Sequence, residues 1–307
     1  MGAGTRILIH IGYHKTATTW MQKHLFLPHH GYSKIMTHQE VFDLIVKPHG
    51  LRFDAGPARS FIRDRLAQVP PDHVPVISSE ILSGHPFLGG HESDVYAQRL
   101  AQIAPDARIL ITIRDQMKIL PSVYMQYLQR GGTMGHAQFF EGTDQPGYFG
   151  FTAEHFEYDV LLRHYQGLFG ADRVYVSPQE ALKDDMQATS QALANFAGAT
   201  AFTTLSDSAR TIHAPGYPEA AAPALRRANH FRKSTLNPRP VMALGGASVD
   251  AYTLIGAMAR RSPVKQIIAG KRPVSDYVLR QFGTRYTDHN TTLKALVEHP
   301  IDLSGYP

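Results

Sequence analysis

Three short apolar runs, each of strand length, alternate with stretches whose apolar side chains recur at helical spacing. The runs are RILIHI at 6–11, VPVISSEIL at 74–82 and ARILITI at 107–113. Continuous apolar runs of this length are typical of strands that are buried on both faces of a parallel sheet. Because a helical pattern follows each run, the sequence predicts a parallel sheet whose strands are joined by right-handed crossovers.

The boundaries of the other elements follow from common start and stop signals. Thr37 and Glu40 form a capping-box pattern that announces a helix, and Pro28 stops the helix before it. We expect the remaining elements to be a strand at 173–177 and helices at 18–26, 58–66, 92–103, 117–130, 154–169 and 179–196. Residues 1–200 are thus predicted to form a three-layer α/β core, a central parallel sheet flanked by helices. We expect residues 201–307 to add a basic segment of helices and loops, without further strands, that covers the cleft of a single domain spanning 1–307.

Composition removes several classes of protein. With 43% hydrophobic and 19% charged residues, the 307-residue chain is neither disordered nor fibrous. It contains no cysteine, which excludes disulfides, thiolate metal sites and a cysteine nucleophile. Residues 1–5 lack the pattern of a signal peptide, and the longest apolar stretch, 241–258, carries Asp250. We therefore expect a cytoplasmic protein without a membrane span.

Positive charge is concentrated in one segment. Residues 221–273 contain ten basic residues and one acidic residue, a net charge of +9, so the rest of the chain carries −4 of the total +5. Nucleic-acid binding would favour aromatic residues among these charges, and only His230, Phe231 and Tyr252 are available. The segment is better interpreted as a wall of a site for anionic small molecules, with Arg232, Lys233 and Arg239 as candidate contacts to a donor phosphate or an acidic glycan.

The segment IHIGYHKTATTW, residues 9–20, brings a glycine, a lysine and several hydroxyl groups to the start of a helix. Free N–H groups at a helix N-terminus carry partial positive charge and, together with a lysine, favour a bound anion. A Walker A loop has a glycine directly before its lysine, whereas His14 stands there in this chain. The segment predicts an anion-binding loop of another type.

A second segment, ILITIRDQMKILPSVY, places Arg114 at the end of a predicted strand and Ser122 eight residues later in the next helix. Ligands of open α/β sheets bind at the carboxyl ends of the strands. An arginine and a serine held together there suit a phosphate monoester. The alternative is that the Arg114–Asp115 pair caps the helix and Ser122 faces solvent.

Together the two segments resemble the sulfotransferases that use 3′-phosphoadenosine 5′-phosphosulfate (PAPS). The first signature of that family is Lys-Ser/Thr-Gly-Thr-Thr-Trp after the first strand, which residues 15–20 match with Ala17 in place of glycine. The second is a strand-end arginine with a serine eight residues later, often followed by a tyrosine, and Arg114, Ser122 and Tyr124 match it. The similarity covers 6–197, with a weaker similarity at 280–296 to bacterial and Golgi carbohydrate-type members.

This resemblance implies a P-loop-like sulfotransferase fold, PAPS as donor and adenosine 3′,5′-bisphosphate (PAP) as product. It implies that the 5′-phosphosulfate is held by the loop residues Lys15, Thr16, Ala17, Thr18 and Thr19, with Trp20 near the adenine or the phosphates. It also implies that Arg114 and Ser122 hold the 3′-phosphate. Alanine adds a methyl group close to the phosphate, although a helical backbone at Ala17 would not exclude alanine.

Glu80 is the leading candidate for the general base, because a carboxylate at the end of a buried strand is costly unless it faces a polar cleft. In the resemblance, cytosolic members present a histidine on this strand and several glycan-modifying members a glutamate. A structural ion pair of Glu80 with a lysine or arginine is the alternative. His14 is the second candidate base, and Ser79 is a candidate contact to the acceptor hydroxyl. Lys15 would stabilise charge on the leaving phosphate, and no metal is expected.

The sequence thus favours an enzyme that sulfates a hydroxyl group of a carbohydrate or small bacterial metabolite, without a nucleic-acid partner. Two other functions stay open. A P-loop-like nucleotide or small-molecule kinase is disfavoured by the loop spacing and by the lack of a clear magnesium-binding aspartate after an apolar strand. A non-catalytic nucleotide- or nucleic-acid-binding module would suit the basic segment.

Overall fold

The computed structural model describes residues 7–143, 145–210, 218–241, 255 and 270–307. Five strands form its central sheet: β1 (Leu8–His10), β2 (Tyr32–Met36), β3 (Val74–Ser78), β4 (Arg108–Ile113) and β5 (Val174–Pro178). Their order is β2-β3-β1-β4-β5, and every neighbouring pair is parallel. The predicted fold class, α/β with a central parallel sheet flanked by helices, is confirmed.

Helices cover both faces of this sheet. In chain order they are α1 (Thr18–Trp20), α2 (His38–Val41), α3 (Ala55–Leu66), α4 (Ser93–Ile103), α5 (Gln116–Gln129), α6 (His136–Glu141), α7 (Tyr158–Phe169), α8 (Gln179–Asp184), α9 (Met186–Ala197), α10 (Asp207–Arg210), α11 (Ala222–Asn229), α12 (Pro273–Phe282) and α13 (Thr287–Leu296). Both α1 and α2 continue into a π-helical turn, Met21–Leu25 and Phe42–Val46 respectively. The capping box of Thr37 and Glu40 at the start of α2 is confirmed.

Two apolar clusters hold the layers together, one on each face of the sheet. Ile9 and Ile111 belong to the larger cluster, whereas Leu8 and Leu110 belong to the smaller one. Successive side chains of a strand point to opposite faces, so adjacent residues of one strand serve different clusters. The sheet is therefore buried on both faces, as its continuous apolar runs predict.

Two details of the core differ from the sequence prediction. The edge strand β2 is absent from the prediction, because its sequence YSKIM has a half-exposed serine and an exposed lysine in its middle and no continuous apolar run. The helix expected at 179–196 is interrupted at Asp185, whose backbone is extended. The Asp185 side chain accepts a hydrogen bond from the N–H of Ala188 and so starts a new helix, α9.

The described residues beyond 200 contain helices and no strand, and they pack into the same core as the sheet. Val274 and Val278 of α12, together with Leu293 of α13, belong to the larger apolar cluster. Within the described ranges, no helix is long and apolar enough to cross a membrane. Residues 1–5, most of the apolar stretch 241–258, and the basic residues Arg260, Arg261 and Lys265 lie outside the described residues.

The strand order determines where a ligand can bind. The chain goes from β1 to β2 on one side of β1, and after β3 it crosses to β4 on the other side, so the order reverses at β1. A crevice forms outside the carboxyl ends of the strands at such a point. The loop after β1, residues 11–17, therefore lies between Glu80, which follows β3, and Arg114, which follows β4.

Candidate active site

The loop after β1 runs close against β4. The backbone N–H groups of Ile11 and Tyr13 donate to the carbonyls of Leu110 and Thr112, each at 3.0 Å. A Cβ atom on Gly12, between them, would lie 1.7 Å from Thr112 Oγ1 and 2.6 Å from His10 Nε2. Because neither group belongs to a flexible surface side chain, only glycine fits at position 12.

Two residues of the loop have left-handed backbone conformations. Lys15 and Ala17 both have φ of 69°, and Ala17 stands directly before α1. The backbone of Ala17 is therefore not right-handed helical, and this position has the conformation that glycine adopts most easily. For an alanine the left-handed conformation costs roughly 1–2 kcal/mol, and strain of this kind is concentrated in loops that bind ligands.

Thr16 is fully buried and fixes the loop to the sheet. Its hydroxyl donates to the Tyr13 carbonyl at 2.5 Å and lies 2.7 Å from Thr112 Oγ1. A hydroxyl has one proton to donate, so the Thr112 hydroxyl must donate to Thr16. Thr112 Oγ1 is also 3.0 Å from His10 Nε2, and with its own proton used it accepts there from the histidine. His10 therefore carries its proton on Nε2.

The other nitrogen of His10 continues the chain to β3. Nδ1 lies 2.8 Å from Ser78 Oγ, and because it is unprotonated it accepts from that hydroxyl. Gln22 in turn donates to Ser78 Oγ at 3.1 Å. Burial lowers the pKa of His10 to about 3, which agrees with a neutral ring. One directed chain of hydrogen bonds thus connects the ends of β3, β1 and β4 with the loop.

Arg114 follows β4 and contacts the residue that the sequence pairs with it. Its Nη1 donates to Ser122 Oγ at 3.0 Å and lies 3.5 Å from the carbonyl oxygen of Lys15. The Tyr158 hydroxyl donates to the Arg114 carbonyl at 2.6 Å and fixes the backbone there. The helix cap is Asp115, whose side chain accepts from the N–H of Met117, so Arg114 is not used for capping.

Several donors around the loop lack partners in the described part of the chain. Arg114 Nε and Thr18 Oγ1 are buried without a hydrogen bond. The pKa of Arg114 is lowered by burial, and the pKa of Lys15 is lowered first by burial and then by the charge of Arg114. Two crowded cations and two unpartnered donors are stabilised by an anion, so this residue set fits the phosphate and sulfate groups of PAPS.

Glu80 opens a 3₁₀ turn, Glu80–Ser83, directly after β3. The Ser83 hydroxyl donates to the Glu80 carbonyl at 2.9 Å and lies 3.5 Å from the Gly12 carbonyl, so the turn packs against the loop. Glu80 is half-buried, and within the described ranges its carboxylate has no hydrogen bond or ion pair. The structural ion pair considered as an alternative is not observed there. The buried Ser79 hydroxyl is 2.8 Å from His38 Nδ1.

His14 stands beside Lys15 in a less favourable state for proton transfer. Its ring lies 5.5 Å from that of His85, and its Nε2 is buried without a partner among the described residues. Burial lowers the pKa of His14 to about 3, with further contributions from the charges of His85, His155, His38 and Arg130. A base with so low a pKa has little driving force to accept a proton near neutral pH.

Thr19 is exposed and Trp20 is buried. The Trp20 indole N–H donates to the Ala209 carbonyl at 2.9 Å, and the ring belongs to the smaller apolar cluster. Trp20 thus connects α1 with α10, a contact that the sequence does not predict. Its role near a nucleotide stays a prediction. In the described part of the chain, no group of three or more His, Asp or Glu side chains is arranged to hold a metal ion.

Three residues of the directed chain, His10, Ser78 and Thr112, are missing from the sequence prediction of the site. Each is polar and buried inside an apolar run, near the end of its strand. Buried polar groups must find hydrogen-bond partners, and the ends of parallel strands lie at one edge of the sheet. The signal available in the sequence was a polar residue inside a continuous apolar run, close to the end of a predicted strand.

No family model matches the chain, and no curated protein matches it. Solved structures do resemble it. A sulfotransferase from Alicyclobacillus acidocaldarius shares 17% identity with a TM-score of 0.50, over 84% of this chain and 100% of that one. Mouse sulfotransferase SULT7A1, complexed with PAP, shares 15% identity with a TM-score of 0.42, over 98% of this chain and 91% of that one.

The first of these likenesses, together with the parallel sheet, shows that the chain has the P-loop-like sulfotransferase fold. The resemblance drawn from residues 15–20 and from Arg114 with Ser122 is confirmed at the level of the fold. A shared fold hosts different activities, so the function is argued from the residues of the site.

Proposed function

We propose that this protein is a PAPS-dependent sulfotransferase that modifies a hydroxyl group of a carbohydrate or small metabolite. The observation that carries the proposal is the contact of Arg114 with both Ser122 and the Lys15 carbonyl. It unites a bidentate cation, a hydroxyl and a positively charged loop at one edge of the sheet. A nucleotide with a phosphate on its ribose and a second anionic group is complementary to this arrangement.

Bound PAPS supplies the sulfuryl group: the new bond forms between sulfur and the acceptor oxygen, while the bond between sulfur and the phosphate oxygen breaks. Lys15 stabilises the charge that develops on the leaving phosphate oxygen, and the N–H groups at the start of α1 assist. Thr16 acts through its hydrogen bonds, because its hydroxyl is used to hold the loop in place. Thr18 and Thr19 bind the donor, and Arg114 with Ser122 holds its 3′-phosphate.

Glu80 accepts the proton of the acceptor hydroxyl. Its carboxylate is half-buried, has no partner in the described residues, and stands on a turn that packs against the loop. His14 is the weaker candidate because its lowered pKa opposes protonation. Positioning by the fold supplies the remaining contribution to the rate, since in-line transfer requires the acceptor oxygen to face the bond that breaks.

We further propose that residues 1–307 form one domain in which the basic segment beyond residue 200 flanks the cleft. The hydrogen bond from Arg232 Nη1 to the Gln129 carbonyl, at 2.9 Å, supports this arrangement, because it ties the segment to α5. The cytoplasmic location and the bacterial source stay predictions from the sequence.

Calorimetry with PAP, with and without magnesium, tests the donor assignment. We expect binding that does not require magnesium, and we expect Arg114→Ala to weaken it about 100-fold, since charged hydrogen bonds contribute roughly 1.5–3 kcal/mol each. Arg163→Ala, an exposed arginine on α7, is the matched control and should bind PAP like the unchanged protein. Absence of PAP binding, or binding only with magnesium, would contradict the proposal and favour a kinase or another function.

A further inference from the structure

Side chains from another part of the protein cap the C-terminal end of α5. The last carbonyls of a helix have no partner within the helix. Here the buried Asn229 side chain donates to the carbonyls of Leu128 and Gly132, each at 2.8 Å. Arg232 donates to the Gln129 carbonyl at 2.9 Å. The end of α11 and the segment after it therefore cap α5, and this end of the helix is held in one position.

The turn that follows α5 leaves no room for larger residues. Gly131 has φ of 96°, and a Cβ atom there would lie 2.2 Å from Ser234 Oγ. A Cβ atom on Gly132 would lie 2.2 Å from the Tyr127 ring. Close contacts on both sides fix the backbone on which Arg130 stands, directly before these glycines. The Arg130 side chain nevertheless is exposed, and no hydrogen bond or ion pair holds it in the described part of the chain.

A row of rings connects this end of α5 with the loop after β1. The ring of His14 lies 5.5 Å from His85, His85 lies 4.7 Å from Phe87, and Phe87 lies 5.6 Å from Tyr127, one turn before Arg130. The charge of Arg130 contributes to the lowered pKa of both His14 and His85, as expected for a nearby cation. Arg130 thus stands at the side of the loop on which Glu80 and His85 follow β3.

The position at which Arg232 binds α5 separates it from the residues proposed to contact the donor. Gln129, where Arg232 binds, is seven residues beyond Ser122 on α5, roughly 10 Å along the helix axis. A phosphate held by Arg114 and Ser122 is out of reach of the Arg232 guanidinium in this arrangement. Of the two partners that the sequence leaves open for Arg232, the donor phosphate is therefore disfavoured.

We propose that Arg130 forms an anion-binding subsite for the acceptor. Arg232, which binds the same end of α5, and its neighbour Lys233 add positive charge. The subsite selects acceptors that carry a carboxylate or sulfate group besides the hydroxyl that is sulfated. The inference rests on the proposed sulfotransferase function. Its physical basis is an unpaired guanidinium on a constrained backbone position, because such a planar donor can bind a carboxylate with two hydrogen bonds.

A pair of probes that differ only in charge tests the subsite. We suggest an unsulfated disaccharide of glucuronate and N-acetylgalactosamine, and the methyl ester of its carboxylate, titrated into the protein with and without bound PAP. The unchanged protein should bind the acid roughly tenfold more tightly than the ester. Arg130→Gln should bind the two probes equally, and Arg163→Gln, which removes the same charge from the exposed face of α7, should keep the preference.

The outcomes separate this inference from the proposed function. Equal binding of acid and ester by the unchanged protein, binding of neither, or a preference that survives in Arg130→Gln would each overturn the subsite. PAP affinity should be the same in Arg130→Gln as in the unchanged protein, because Arg130 lies two turns from Ser122. If PAP does not bind at all, the donor assignment fails instead, and the titrations without PAP still decide whether Arg130 binds an anion.

Discussion

The loop after β1 has two sides that differ in how completely their polar groups are satisfied. On the inner side, formed by Thr16 with His10, Ser78 and Thr112, every hydroxyl and ring nitrogen has a partner within 3.0 Å. On the outer side, formed by Glu80, His14 and Arg130, the Glu80 carboxylate, His14 Nε2 and the Arg130 guanidinium have no partner in the described residues.

This difference separates scaffold from ligand contacts. A buried polar group that already has its hydrogen bonds has nothing left for a ligand, and its substitution acts on stability. A group without partners beside a cleft has hydrogen-bonding capacity that a substrate can use. We therefore expect substitutions on the inner side to change the free energy of unfolding and those on the outer side to change turnover.

The largest effect is expected on the outer side, for Glu80→Gln. Loss of the proposed general base should lower kcat by 10²- to 10⁴-fold, the usual contribution of such a group. PAP affinity should not change, because the donor contacts remain. Turnover and PAP calorimetry would be measured in parallel with Glu298→Gln, an exposed glutamate, as control. A normal kcat in Glu80→Gln would remove Glu80 from the mechanism.

On the inner side, Thr112→Val should destabilise the fold by about 2 kcal/mol. The substitution keeps the shape but leaves the His10 Nε2–H without an acceptor and removes the hydrogen bond that Thr16 Oγ1 accepts, although Thr16 still donates to the Tyr13 carbonyl. An unsatisfied buried group costs roughly 1–3 kcal/mol. Thr112→Ser keeps the hydroxyl and should retain most of the stability. Urea denaturation provides the free energies of unfolding. Equal values for the two variants would mean that the directed chain of hydrogen bonds contributes nothing to stability.

Acid should destabilise the protein through its buried histidines. The pKa of His10 and of His14 is lowered to about 3, below the ordinary value of 6.5. Between these values the unfolded chain binds protons that the folded protein does not, so stability falls as the pH is lowered from 6.5 toward 3, by about 1.4 kcal/mol per pH unit for each such histidine. His14→Gln should reduce this slope by the contribution of one histidine, about 1.4 kcal/mol per pH unit. An unchanged slope would show that the His14 ring is accessible to protons in the folded state.

The smallest effect is expected for Ala17, one of the two left-handed residues of the loop. Ala17→Gly should raise the free energy of unfolding by up to about 1 kcal/mol, because relief of the left-handed strain exceeds the added freedom of glycine in the unfolded chain. Ala101→Gly, inside α4, is the opposite control and should lower stability by about 1 kcal/mol. A loss of stability in both variants would contradict the left-handed conformation of Ala17.

Sequence patterns identified the buried core more completely than its edge. Strands β1, β3 and β4 are continuous apolar runs because both of their faces are covered, and such runs are visible in one sequence. The edge strand β2 has a polar centre, and its start depends on Gly31 in a left-handed conformation. The break at Asp185 depends on a side-chain cap that competes with a good helical pattern.

The site shows the same limit. Lys15 and Arg114 are recognisable because each stands next to a predicted helix start or strand end, and Ser122 because it follows Arg114 by eight residues. Arg130 was not predicted, because its distance from His14 depends on the direction in which α5 crosses the end of the sheet. Sequence spacing carries no information on that direction, whereas the ring contacts of Phe87 and Tyr127 determine it.

The directed chain from Gln22 to the Tyr13 carbonyl also has a consequence for proton traffic. Each hydroxyl in it already donates to the next member, and the series ends on a carbonyl that takes up no proton. To conduct a proton, every member would have to reverse its orientation, and His10 would have to become a buried cation. The interior of the loop is therefore closed to protons, and in the proposed mechanism a proton accepted by Glu80 would have to leave by another route.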